Sequence, residues 1–160
     1  MIAAPHTLRV SRVITADADT LFRAWTDPQA LVHWWRQEGD GWVFAEASID
    51  LRVGGRYRLG MTDPDGKSHV AVGAYQEVRR PVRLAFTWDW EDAASRVGET
   101  LVTVEFKHAD RNQTEVVVTH ERFPDAARMG RHEQGWTVLL RLLEQFAISD
   151  AKGSELKAGK

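Results

Sequence analysis

A single change in the spacing of apolar residues, near Phe123, constrains the fold of this chain more than any other feature. From Trp42 to Phe123 apolar and polar residues alternate, which is the period of β-strands. Beyond Phe123 the apolar residues recur at steps of three, four and seven, which is the period of an α-helix. The sequence therefore predicts a run of consecutive strands followed by one long helix.

Turn-forming residues divide the alternating region into six strands. Gly54-Gly55 permits a sharp bend, and Asp63-Pro64-Asp65-Gly66 is a strong turn signal. A further strand is predicted near the N-terminus, where Leu8, Val10 and Ile14 alternate with polar residues. The seven predicted strands are Thr7–Ile14, Val43–Asp50, Arg56–Met61, Val70–Val78, Arg83–Trp88, Thr100–Lys107 and Thr114–Phe123.

Two short helices are predicted between the first two strands. Asp17 or Asp19 is placed to cap the first of them. Asp27 is placed to cap the second, with Pro28 at the first helical position, where its missing N–H costs nothing.

The long helix carries one polar residue within its apolar stripe. At 100° per residue His132 falls on the same face as the apolar residues Met129, Trp136, Leu140, Leu143 and Ala147. A polar side chain that points inward where the helix meets its sheet predicts a lined cavity rather than a solid core.

The order of elements predicts the α+β fold class. Successive strands joined by short turns form an antiparallel sheet of about seven strands. Since one helix cannot cover both faces of such a sheet, the sheet must curl around the helix to bury its apolar side. The curl leaves space at one end, where the two short helices would act as a lid. We expect one domain over residues 1–148 and a flexible C-terminal tail over residues 149–160.

Several motifs in this order resemble those of a known family. They are Asp27-Pro28 with Leu31 and Trp34-Trp35, Gly54-Gly55, Gly73-x-Tyr75-x-Glu77-Val78, Arg83-Leu84 with Phe86-Thr87-Trp88, Thr119-His120-Glu121-x-Phe123-Pro124, and His132-Glu133-Gln134-Gly135-Trp136. Over residues 7–148 the chain resembles homologues of the heat-shock protein 90 ATPase activator, in the START/Bet v-like SRPBCC superfamily. The resemblance implies a helix-grip fold with a hydrophobic cavity between the sheet and the last helix.

The same resemblance implies two kinds of function. The eukaryotic namesake stimulates a chaperone ATPase and uses a second domain to engage the chaperone, and we expect no such second domain here. Single-domain members are presumed to bind small molecules, and enzymes of the superfamily use cavity side chains to cyclise or hydrate polyketide-like substrates.

Composition excludes several classes of function. The net charge is −2 and the basic residues are scattered, which argues against nucleic acid or an anionic membrane as a partner. No apolar run approaches the ~20 residues of a membrane span, and Met1 to Thr15 holds no signal-peptide core. The chain has no cysteine, which excludes disulfides, a thiol nucleophile and cysteine-ligated zinc. We therefore expect a cytoplasmic protein.

Two histidines are the candidates for chemistry. His132-Glu133 resembles half of the zinc motif His-Glu-x-x-His, but Trp136 stands where the second histidine is needed, which excludes a metalloprotease of that type. His120 and His132 could bind a metal together with a nearby glutamate, act as a general acid/base pair, or simply hydrogen-bond within the packing. We expect neither a metal nor a cofactor.

The predicted function is the binding of a small hydrophobic or aromatic molecule. Seven tryptophans in 160 residues indicate either a large core or an aromatic-lined pocket. The alternatives are a cavity enzyme of cyclase, hydratase or hydrolase type, and a co-chaperone with a protein partner; a homodimer is left open. The predicted ligand-binding residues are Trp35, Tyr57, Met61, Trp88, His120, His132 and Trp136.

Overall fold

The structure, a computed structural model, describes residues 6–158 of the chain, with side chains as far as residue 151. The strands are β1 (His6–Ile14), β2 (Val43–Ile49), β3 (Arg56–Thr62), β4 (Ser68–Arg79), β5 (Arg83–Trp90), β6 (Thr100–Asp110) and β7 (Gln113–Phe123). The helices are α1 (Ala18–Thr26), α2 (Pro28–Leu31) and α3 (Ala126–Ala158), with one turn of 3-10 helix at Ala93–Ser95.

The seven strands form one antiparallel sheet in the order β1-β7-β6-β5-β4-β3-β2. Six of the strands follow the chain order, and β1 pairs with the last strand, β7. The helix α3 packs against β1 and β7, and α1 packs against β6 and α3. This arrangement confirms the predicted α+β helix-grip fold, with two short helices between the first and second strands.

Three aspartates begin the three α-helices. Oδ1 of Asp17 accepts a hydrogen bond from the backbone N–H of Thr20 at 2.7 Å, so Asp17 rather than Asp19 caps α1. Asp27 caps α2 through Gln29, and Asp125 caps α3 through Arg128. Each carboxylate satisfies one of the N–H groups that a helix leaves without an intrahelical partner.

The apolar stripe of α3 lies where the sequence predicted it. Trp136, Leu140, Leu143 and Ala147 are buried, and Met129 is half-buried against the core. The backbone helix continues to Ala158, past the predicted end of the domain at residue 148. The domain division and the flexibility of residues 149–160 stay predictions, and residues 159 and 160 lie outside the described residues. Within the described residues, no helix is both long and apolar enough to cross a membrane.

The joint between α1 and α2 is closed by a tryptophan side chain. Pro28 has no N–H to offer to the carbonyl of Ala24, four residues earlier, and Asp27 before the proline is extended. Nε1 of the fully buried Trp34 donates to that carbonyl oxygen at 3.0 Å. The indole therefore supplies a donor that the backbone cannot.

A glycine allows β4 to approach β5 closely. An ideal Cβ atom on Gly73 would lie 1.9 Å from the carbonyl oxygen of Thr87, a distance that no side chain tolerates. Gly73 is the register partner of Tyr57 on β3. The Tyr57 hydroxyl reaches past it and donates to the same Thr87 oxygen at 2.6 Å. Three strands are thus joined at a point where one of them has no side chain.

Candidate functional site

A cavity of about 630 Å³ lies between the first half of α3 and the sheet. Its other walls are the segment that follows α2, the ends of β3 to β5, and the 3-10 turn. The lining residues are Trp35, Gln37, Trp42, Met61, His69, Trp88, Trp90, Ala94, Ser95, Val97, Arg128, Arg131, His132, Gln134, Gly135, Trp136, Val138 and Leu139.

Three indoles in mutual contact form the buried side of this cavity. The ring centroids of Trp35 and Trp88 are 6.1 Å apart, those of Trp35 and Trp136 6.1 Å, and those of Trp88 and Trp136 5.2 Å. All three side chains are at most 3% exposed. We call these residues the tryptophan triad; they come from the α2–β2 segment, from β5 and from α3, so the triad joins all three parts of the fold.

His120 lies behind the triad with both ring nitrogens hydrogen-bonded. Nε1 of Trp136 lies 3.1 Å from Nδ1 of His120, and since an indole N–H can only donate, Nδ1 accepts. The proton therefore sits on Nε2, which donates to the Thr100 hydroxyl at 2.7 Å. That hydroxyl in turn donates to the Trp88 carbonyl at 2.6 Å. Burial and the neighbouring His132 lower the pKa of His120 to about 2, so the ring is neutral near pH 7.

His132 lines the cavity and has the opposite tautomer. Nε1 of Trp90 donates to its Nε2 at 2.9 Å, so the proton sits on Nδ1, which donates to the Arg128 carbonyl at 2.8 Å. Burial lowers the pKa of His132, and the positive charge of Arg131 acts in the same direction. The hydrogen bond to the Arg128 carbonyl and the charge of Asp89 oppose this shift without reversing it.

These bonds leave neither histidine with a free nitrogen. A metal ligand or a general base needs a lone pair on the ring, and both lone pairs accept from tryptophan N–H groups. Among the described residues, no group of three or more His, Asp or Glu side chains is placed to hold a metal ion. Of the three interpretations open from the sequence, the geometry favours hydrogen bonding within the packing.

Comparison with known proteins assigns the chain to a family. Residues 15–147 match the family described as "Activator of Hsp90 ATPase homolog 1-like protein". The chain belongs to this family. The match spans most of the helix-grip domain, from the end of β1 to Ala147 of α3, and confirms the resemblance seen in the sequence motifs. Among curated proteins, none matches the chain.

Solved structures of other proteins share the fold of this family member. An uncharacterized protein from Rhizobium leguminosarum has 28% identity and a TM-score of 0.76, over 90% of this chain and 95% of that one. The AHSA1 protein from Silicibacter pomeroyi has 26% identity and a TM-score of 0.74, over 88% and 96%. An HSP90 activator from Plasmodium falciparum has 24% identity and a TM-score of 0.65, over 86% and 93%. The last shows likeness of fold alone.

Five of the seven residues predicted from the sequence line the cavity: Trp35, Met61, Trp88, His132 and Trp136. Tyr57 and His120 do not. Tyr57 is bonded to Thr87 and packs against Tyr75 and Phe86, with ring centroids 5.7 and 5.3 Å away. His120 is separated from the cavity by the indoles of Trp88 and Trp136, which it contacts. As ligand contacts, all seven residues stay predictions.

Sequence reasoning missed several lining residues, of which Trp90, Arg128 and Arg131 matter most. Trp90 lies between Asp89 and Glu91, two residues past the predicted end of the fifth strand; β5 extends to it, and its indole reaches His132. The two arginines carry a signal that was available. With His132 and Gly135 they recur at steps of three and four on α3, so they share the face that lines the cavity.

Proposed function

We propose that this protein binds a small hydrophobic or aromatic molecule in the cavity between the sheet and α3. The observation that carries the proposal is the cavity itself, about 630 Å³ and walled by the tryptophan triad. This volume falls within the ~300–1,000 Å³ of small-molecule sites, and a mainly apolar wall with a few polar groups is their usual character.

The side chains favour binding over catalysis. Cyclisation, hydration and hydrolysis each need a group that gives or takes a proton at the substrate. The two histidines considered for that role have their ring nitrogens bonded to Trp90, Trp136, Thr100 and the Arg128 carbonyl. A co-chaperone role rests on the family description, and we treat it as an alternative outcome of the test below.

The test uses two glycines on α3 as a matched pair. Gly135 lines the cavity, and a Cβ atom there would meet only the Gln37 amide, at 3.8 Å. Gly130 does not line the cavity, and a Cβ atom there would meet nothing within 4 Å. Replacing either glycine by leucine raises helix propensity by roughly 0.8–1 kcal/mol, so both variants should fold. Only Gly135→Leu places a side chain at the cavity.

The probe is diphenylhexatriene, a hydrocarbon dye that fluoresces in apolar surroundings. We expect saturable binding to the wild type and to Gly130→Leu, and at least tenfold weaker binding to Gly135→Leu. Equal dye binding by the two variants would place the dye elsewhere on the protein and contradict the proposal. Absence of binding to all three proteins would also contradict it and favour a protein partner.

A further inference from the structure

We infer that the ligand is an anionic amphiphile, with an apolar or aromatic body in the cavity and a carboxylate at Arg131 on its rim. This inference rests on the proposed function and specifies the class of ligand. Two observations support it: the lining residues that carry a charge are positive, and only some of the charged side chains around the cavity form ion pairs.

The charged residues that line the cavity include two arginines and no carboxylate. Arg128 and Arg131 lie three residues apart near the start of α3. His132 is neutral through the hydrogen bonds described above, and His69 is bonded to Asp63 at 2.8 Å. An uncharged ligand has no need of two cations at its binding site, whereas an anion is attracted by both.

Arg131 is the cation available to a ligand. It is exposed, and within the described part of the chain it forms no ion pair and no side-chain hydrogen bond. Arg128, by contrast, lies 3.7 Å from the carboxylate of Asp125. The charge of Arg131 reaches the cavity wall, since it lowers the pKa of His132.

Asp89, the carboxylate whose charge opposes that of Arg131 at His132, is bonded to other groups. Its Oδ1 accepts the backbone N–H groups of Trp90 at 2.8 Å and of Val97 at 2.9 Å. These bonds hold the carboxylate against the loop backbone, and Asp89 does not line the cavity. The guanidinium of Arg131 therefore keeps its donors for a group that enters from solvent.

The chemistry of arginine indicates the group it would receive. A guanidinium presents a planar fork of N–H donors that matches the two oxygens of a carboxylate. One guanidinium without a partner matches a single negative charge. The aromatic wall beside it suits an apolar body, so the two parts of the site select an aryl or alkyl carboxylate.

The test compares 2-naphthoate with its methyl ester, which has the same ring system and no charge. Each competes with diphenylhexatriene at pH 7.5, where the acid is ionised. We expect Arg131→Gln to weaken naphthoate binding roughly 3–10-fold, the range for one exposed charge-assisted hydrogen bond, and ester binding less than 2-fold. Arg131→Glu should weaken naphthoate binding further. Raising the salt concentration should reduce the naphthoate affinity of the wild type more than that of Arg131→Gln.

Arg111→Gln is the matched control, because it removes the same charge from the β6–β7 turn, outside the cavity lining. Both glutamine variants change an exposed residue and should fold, as dye binding will report. An unchanged ratio of naphthoate to ester affinity in Arg131→Gln would overturn the inference while the proposed function stands. If the wild type does not bind the dye, the proposed function itself is contradicted, and the inference that rests on it is contradicted as well.

Discussion

Trp136 on α3 donates its indole N–H to Nδ1 of His120 on β7, across 3.1 Å and between two fully buried rings. The bond ties the long helix to the sheet directly behind the cavity. It also fixes the His120 proton on Nε2, from which a chain of hydrogen bonds runs through Thr100 to the backbone of β5. The wall of the cavity is therefore held by polar bonds as well as by packing.

Acid should destabilise the protein through His120 well before its carboxylates protonate. Its folded-state pKa is about 2, against ~6.5 when unfolded. Below pH 6.5 His120 binds a proton in the unfolded chain but not in the folded protein. The free energy of unfolding is therefore highest above pH 6.5 and decreases as the pH falls below it. From pH 7 to pH 5 we expect the free energy of unfolding to drop by about 2 kcal/mol from His120. The lowered pKa of His132 acts in the same direction.

Urea unfolding at pH 7, 6 and 5 measures this loss. The control is His120→Gln, which keeps a polar side chain and does not titrate. Its unfolding free energy should depend less steeply on pH than that of the wild type. Equal slopes for the two proteins would mean that His120 titrates with the same pKa in the folded and the unfolded protein.

Trp34 and Trp35 should respond differently to the same substitution. Trp34→Phe leaves the buried carbonyl of Ala24 without its indole donor, whereas Nε1 of Trp35 has no hydrogen-bond partner to lose. Both variants lose a similar amount of packing. We expect Trp34→Phe to lower the free energy of unfolding by about 1–2 kcal/mol more than Trp35→Phe. Denaturant titration of the pair checks this, and equal losses would show that the Ala24 carbonyl finds another donor.

Gly73 should tolerate no side chain. A Cβ atom 1.9 Å from the Thr87 oxygen forces β4 away from β5 and disturbs the Tyr57 hydrogen bond. We expect Gly73→Ala to lower the free energy of unfolding by about 3 kcal/mol, the sum of overpacking and one buried hydrogen bond.

Gly66→Ala is the comparison for that variant. Gly66 has φ +85°, but a Cβ atom there would meet nothing within 4 Å. We expect Gly66→Ala to lower the free energy of unfolding by about 1–2 kcal/mol, from backbone strain alone. If Gly73→Ala lowers it by no more than Gly66→Ala does, β4 and β5 can separate without an energetic penalty.

The fold could be predicted because its signals are local. Alternation fixes the strands between turns, and Asp17, Asp27 and Asp125 each precede a helix that they cap. The bounds of elements are less accurate, because the local signal weakens at their ends: β5 ends at Trp90 rather than at the predicted Trp88, next to the exposed Glu91, which pairs with Arg58.

The site was harder to predict, because its bonds join distant residues. The stripe on α3 correctly indicated that His132 points inward, but nothing near it in the sequence identifies Trp90, 42 positions away, as its donor. His120 faces α3 and bonds to Trp136, yet the indoles of Trp88 and Trp136 stand between it and the cavity. Alternation determines the face of a strand but not what covers that face.

The carbonyl of Ala24 is free for Trp34 only while residue 28 lacks an N–H. Another residue there would let α1 continue and bring a backbone donor into competition with the indole. Trp35, the next residue along the chain, is one member of the tryptophan triad. A change at position 28, outside the cavity lining, is therefore expected to move Trp35 and with it the aromatic wall of the cavity, although no lining residue has been replaced.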